Sequence, residues 1–132
     1  MTTLVPWIRV LFLAALAAYL LGVLLQASLA GVALFVKPTG DFDLHRQFGY
    51  LVHLAGLGAF VLGLLSRPGR PLLWWLIAFG VVAFIQPLLP LARDDMPYVA
   101  ALHPVLAIVS FALGLRILTQ TAGWLREVGR TA

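Results

Sequence analysis

The chain contains no cysteine, which removes disulfides, thiolate metal sites and the covalent c-type attachment of haem together. Charge is nearly as scarce. Asp, Glu, Lys and Arg make up 11% of 132 residues, where a soluble domain has about 25%. No GxSxG, HExxH or phosphate loop occurs, so the sequence gives no footing to hydrolase or nucleotide-binding chemistry. Linkers, low-complexity tracts and nucleic-acid signatures are missing too, and nucleic acid is not an expected partner. What fills the chain instead is apolar: 62% of the residues are hydrophobic, above the roughly 45–50% of soluble domains. The expected surroundings are a lipid bilayer. The net charge of +4 comes from arginines at the ends of apolar runs, a distribution suited to phospholipid headgroups.

Polar or proline-containing breaks leave apolar runs near 8–36, 44–66, 71–91 and 98–120, each meeting the length of about 20 residues that a helix needs to cross the hydrocarbon core. The breaks are Lys37-Pro38-Thr39-Gly40, Arg67-Pro68-Gly69-Arg70-Pro71 and the Pro90–Pro97 stretch around Arg93-Asp94-Asp95, all turn-forming sequences. Short connections imply antiparallel neighbours. The expected fold is all-α, an integral membrane four-helix up-down bundle, with residues 1–132 as one transmembrane domain. Arg9 followed by an apolar run and then Ser28-Leu29-Ala30-Gly31 has the outline of a secretory signal. The run from Val10 to Leu25 exceeds the usual core of about 7–15 residues and continues through Leu34-Phe35-Val36, so a membrane helix is expected there.

Charge also orients the spans. Arg9, Arg67, Arg70, Arg116, Arg126 and Arg130 fall on one side, whereas Lys37, Arg46 and Arg93 fall on the other beside all four aspartates. Basic loops stay inside, so both termini are expected in the cytoplasm, with the protein multi-pass in the membrane. Trp7, Trp74, Trp75 and Trp124 lie near the cytoplasmic helix ends, as interfacial anchors would, and the segment Gly123–Val128 is expected along that surface. Pro87 is expected to bend the third helix near its outer end.

In this topology Gln26, His45, His53, Gln86 and His103 all fall in the outer half. Polar groups at membrane depth normally face the bundle interior and pair, bind or line a path. His45 heads a stripe of Gly49, Gly56 and Gly63, and His103 heads one of Ala107, Ser110 and Gly114. Gln26 precedes His45 by 19 residues and Gln86 precedes His103 by 17, which reads as an internal repeat of two helix pairs about an axis along the membrane normal. Small residues at such spacing also occur wherever membrane helices pack closely, and buried His or Gln often only bridges helices.

A haem held by two imidazoles needs neutral histidines from different helices, with hydrogen-bond partners fixing each ring. His45 and His103 are the expected iron ligands and haem b the expected cofactor. Gln26 and Gln86 are the expected ring partners, Gly49 leaves room beside the site, and Arg46 is set to meet a propionate or to anchor the interface. His53 lies eight residues after His45, about 80° around the helix. It is an alternative ligand, a partner for Gln26 or a proton acceptor near a substrate. No catalytic residue is assigned.

The segments "LHRQFGYLVHLAG" and "VAALHPVLAIVSFALGL" resemble a family of small bacterial four-helix membrane proteins of unknown function. More distantly, the layout is similar to one half of heme A synthase. That resemblance implies a haem held by histidines of the second and fourth helices, with His45-Arg46 matching the enzyme's His-Arg motif and His103 as the fourth-helix partner. The enzyme's glutamate three residues before the first histidine is Phe42 here, and half the enzyme's length is present, so the resemblance carries haem binding and not haem oxidation. The expected function is that of a small b-type cytochrome-like protein, for electron transfer or as a redox subunit of a larger membrane complex. The alternative is a haem-free structural or accessory subunit. A carrier or channel ranks third, because no span contains an acid or an unwound middle.

Overall fold

A computed structural model of the protein describes residues 4–36 and 41–124. The first connection, Lys37–Gly40, and the tail from Leu125, with Arg126 and Arg130, lie outside the described residues. Helix α1 spans Leu4–Phe35, α2 Asp43–Leu65, α3 Arg70–Ile85, α4 Pro97–Ala100 and α5 His103–Thr121. A 3₁₀ segment, Gln86–Ala92, continues α3. Counted as Leu4–Phe35, Asp43–Leu65, Arg70–Ala92 and Pro97–Thr121, four helical spans are long and apolar enough to cross a membrane. The chain is an all-α, multi-pass membrane bundle. With 32 residues, α1 is about 48 Å long and exceeds a hydrocarbon core of about 30 Å.

Three boundaries differ from the apolar runs, each for a reason in the covalent chemistry of proline. Pro6 is tolerated in the opening turn, where its missing N–H has no helical acceptor, so α1 begins at Leu4 and not near residue 8. Pro87 and Pro90 lack the donors that would continue the α-helical ladder, and the third helix switches to 3₁₀ form at Gln86. The run 98–120 is not one helix. Pro104 cannot donate to Ala100 and its ring crowds that carbonyl, so the helix breaks at Ala101-Leu102 and restarts with His103 as its first residue.

The helices form a ring in the order α1, α2, α3, α5, each packing on its two neighbours, so that α2 and α5 face each other across the diagonal. The α1–α2 seam is the most extensive. A side chain at Gly49 would collide with Gln26, one at Gly56 with Tyr19, and one at Gly63 with Leu76 and Phe12. Phe12, Tyr19 and Gln26 repeat every seven residues on α1, as the glycines do on α2, so the antiparallel pair closes as a ladder of large side chains against bare backbone. Phe12, Leu16, Leu76, Phe79 and Ile117 are fully buried at the centre. In the middle layer the Tyr19 hydroxyl donates to Ser110 Oγ at 2.7 Å, Ser110 donates to the Ala107 carbonyl at 2.9 Å, and the Tyr19 ring meets Phe79 edge-on at 5.1 Å.

The two ends differ in charge. All described acids, Asp41, Asp43, Asp94 and Asp95, sit at the end where α2 and α5 begin, here termed the acidic end. Its two described arginines are paired, Arg46 with Asp43 and Arg93 with Asp94 at 3.5 Å. The opposite, basic end carries Arg9, Arg67, Arg70 and Arg116. There Trp7 and Trp74 are exposed, but Trp124 turns inward, with its ring 6.0 Å from that of Phe12 and 4.6 Å beneath the Arg9 guanidinium.

Candidate functional site

At the acidic end α2 and α5 each offer one imidazole across the diagonal. The rings of His45 and His103 lie 6.3 Å apart, centroid to centroid, with their planes at 80°. Both are half-buried.

Each ring is held by the glutamine of the preceding long helix. His45 Nδ1 lies 3.1 Å from the Gln26 carbonyl oxygen, and His103 Nδ1 lies 2.9 Å from the Gln86 carbonyl oxygen. A carbonyl oxygen only accepts, so Nδ1 carries the proton in both rings and each Nε2 keeps its lone pair. The same local chemistry frees one of those carbonyls. In an α-helix Gln86 would bond the N–H of residue 90, which is Pro90 and has none. The repeat of two hairpins is thus visible as one contact made twice.

The side-chain amides break the symmetry. Gln26 Nε2 donates to the backbone carbonyl of His45 at 2.9 Å, and its Oε1 is buried with no hydrogen-bond partner. Gln86 Nε2 lies 3.0 Å from Nδ1 and 3.2 Å from Nε2 of His103. An atom this close to both ring nitrogens lies over the imidazole face and on the lone-pair axis of neither. His45 Nε2 accepts from no described residue.

The remaining expected site residues fall around this pair or away from it. Gly49 lies directly against Gln26, where a Cβ would stand 2.6 Å from its amide nitrogen. Arg46 is exposed and paired with Asp43 one turn away, at the rim. His53, about 12 Å further along α2 by the helical rise, is half-buried and shares no hydrogen bond or ring contact with the pair. Phe42 packs edge-on to His45 at 6.0 Å, a contact the sequence pattern did not single out. Nor did it single out Tyr19, whose place in the heptad Phe12-Tyr19-Gln26 was the available signal.

The architecture and the site define the class first: a four-helix membrane bundle with a histidine–glutamine cluster at one end. Residues 26–92, half of the chain, match the family of unknown function DUF6220, and the protein belongs to that family. The match takes in Gln26, His45, His53 and Gln86 and stops short of His103. No curated protein and no solved structure matches the chain.

Proposed function

We propose that the protein is a small b-type cytochrome-like membrane protein that holds one haem b through His45 of α2 and His103 of α5. The close imidazole pair carries the proposal. The two rings stand 6.3 Å apart, centroid to centroid, on helices that face each other across the bundle. Each Nδ1 is tied to a carbonyl oxygen, the outer partner that fixes tautomer and orientation in ligating histidines. Among the described residues no group of three or more His, Cys, Asp or Glu comes together to hold a metal ion. A macrocycle bringing four nitrogens of its own needs only two ligands from the chain, so the donor set fits. The resemblance to one half of heme A synthase points to the same pair.

When bound there, haem b would supply one-electron redox chemistry. His45 and His103 would hold its iron, Gln26 and Gln86 would orient their rings, and Arg46, paired with Asp43 at the rim, would be a cation available to a carboxylate of the group. With the site at one end of the bundle, electrons do not cross the bilayer through this chain alone, so a redox partner or a larger membrane complex completes the function. The charge asymmetry supports an orientation in a bacterial inner membrane with both termini cytoplasmic and the acidic end outside.

A second reading, a haem-free structural or accessory subunit, is favoured by a separate observation. The glycine stripe beneath His45 is filled by Gln26, Tyr19 and Phe12, so α2 uses it for helix packing. The absorption spectrum of protein purified with ample haem supply decides between them. The cytochrome reading expects a low-spin bis-histidine spectrum that is lost in His45→Ala and in His103→Ala and kept in His53→Ala. Survival in His45→Ala with loss in His53→Ala transfers the ligand role to His53, and no haem in any preparation leaves the accessory reading standing.

A further inference from the structure

His53 stands outside the His45–His103 pair and hydrogen-bonds to no described residue. It is half-buried and lies about 15 Å along α2 from Asp43, the first residue of that helix. That depth is the middle of a hydrocarbon core of about 30 Å, where a polar group needs a partner and water is scarce. Leu57 and Phe60 follow on the same face of α2. They form one wall of a groove of about 430 Å³, whose other wall is Gly80, Val81, Phe84 and Ile85 of α3. Val81 is 53% and Phe84 56% exposed, so the groove opens sideways onto lipid. Toward the basic end it is closed by the Phe60 ring lying on the bare backbone of Gly80, where a Cβ would stand 2.6 Å from two ring carbons. Toward the acidic end, the Gln86–Ala92 segment that continues α3 makes its main contacts with α4 and α5, so little of it covers α2. His53 stands one turn beyond Leu57 at that open end.

The walls and the imidazole together restrict the occupant. A phospholipid acyl chain satisfies the walls and leaves His53 without a partner, because its polar groups stay at the membrane surface. A charged head is costly at mid-bilayer depth. What satisfies both is a lipid-soluble molecule with a flat apolar body and an uncharged hydrogen-bonding head. A neutral imidazole offers one N–H donor and one acceptor nitrogen, which suits a carbonyl oxygen in one form of such a molecule and a hydroxyl in the other. We propose that the groove between α2 and α3 binds an isoprenoid quinone, its ring between the aromatic side chains of Phe60 and Phe84 and one of its oxygens on His53. The proposal concerns binding alone and stands whether or not the His45–His103 pair holds haem.

The test uses the full chain in phosphatidylcholine nanodiscs, where phospholipid is in large excess. The probe is an azidobenzoquinone with a decyl tail, and cross-linked peptides are read by mass spectrometry. Label is expected in segments 53–60 and 80–85, and excess decylubiquinone should remove it. Val81→Trp, which fills the groove from its lipid side, should abolish the label. His53→Leu should raise the probe concentration for half-maximal labelling by roughly 2- to 10-fold, the range of one hydrogen bond. His53→Gln, which keeps a donor and an acceptor, should restore most of the loss, and this pair of variants carries the test if Val81→Trp does not fold. Label spread evenly over the lipid-facing positions, label that decylubiquinone does not displace, or half-maximal labelling unchanged in His53→Leu overturns the proposal. A folded Val81→Trp protein that keeps the label overturns it too, as does one that turns a dimer into a monomer, which would make the groove a contact between copies of the chain.

Discussion

Gly56 faces Tyr19 so closely that an added methyl would stand 2.8 Å from two carbons of the ring. The ring cannot retreat freely, because it meets Phe79 edge-on and its hydroxyl donates to Ser110. Gly56→Ala should therefore lower stability in mild detergent by about 1–3 kcal/mol, the usual cost of overpacking, and Tyr19→Phe by roughly 0.5–1.5 kcal/mol for one interhelical hydrogen bond. Thermal or denaturant unfolding checks both, and a Gly56→Ala protein as stable as wild type would show that α1 and α2 do not meet in this ladder. The stripe Gly49-Gly56-Gly63 was legible in the sequence because its period lies on one helix. What fills it was not, since Phe12, Tyr19 and Gln26 reach it from another helix, and pairing two heptads requires knowing which helices are neighbours. The His45–His103 pair was legible for the opposite reason, each residue being polar in an apolar run at matching depth.

At the scale of the element, proline decides where the site forms. Gln86 is followed by Pro87 and His103 by Pro104, so each polar residue sits where its helix changes character. Without an N–H at residue 104, the chain turns at Ala101-Leu102, where Leu102 bonds back to Val99 at 3.1 Å as an i→i−3 contact. Pro104→Ala restores the donor and removes the clash with the Ala100 carbonyl. The span 97–121 should then run as one helix, with amide exchange at residues 101–105 slowed roughly fivefold by one added hydrogen bond of about 1 kcal/mol. His103 should also turn away from Gln86. Exchange identical to wild type would mean that something other than Pro104 breaks the helix. Sequence reading assigns Pro87 a bend and passes over Pro104, six residues into the apolar run 98–120, because a proline inside a membrane span either kinks one continuous helix or starts a new one. Only the register against Gln86 separates the two cases.

The whole molecule is organised by unequal ends. Its acidic end pairs each described arginine with an aspartate, which cancels their charge, whereas at the basic end Arg67, Arg70 and Arg116 have no described carboxylate near them in sequence or along the bundle axis. The basic end carries four of the six described arginines, and it is the excess of Lys and Arg, not the net charge, that orients membrane proteins during insertion. Four spans and their alternation follow directly from apolar length, since each run exceeds what the hydrocarbon core requires, but which end faces the cytoplasm rests on charge alone. Exposed positions at the two ends make that testable. Met96 lies in the acidic-end connection and is 54% exposed, and Gly123 lies past the end of α5 with room for an added side chain. In the cysteine-free background, Met96→Cys should react with a membrane-impermeant maleimide added to intact cells, and Gly123→Cys only after the membrane is permeabilised. The reverse pattern would turn the bundle over and carry the histidine pair to the cytoplasmic side, and labelling of both from one side would break the up-down arrangement.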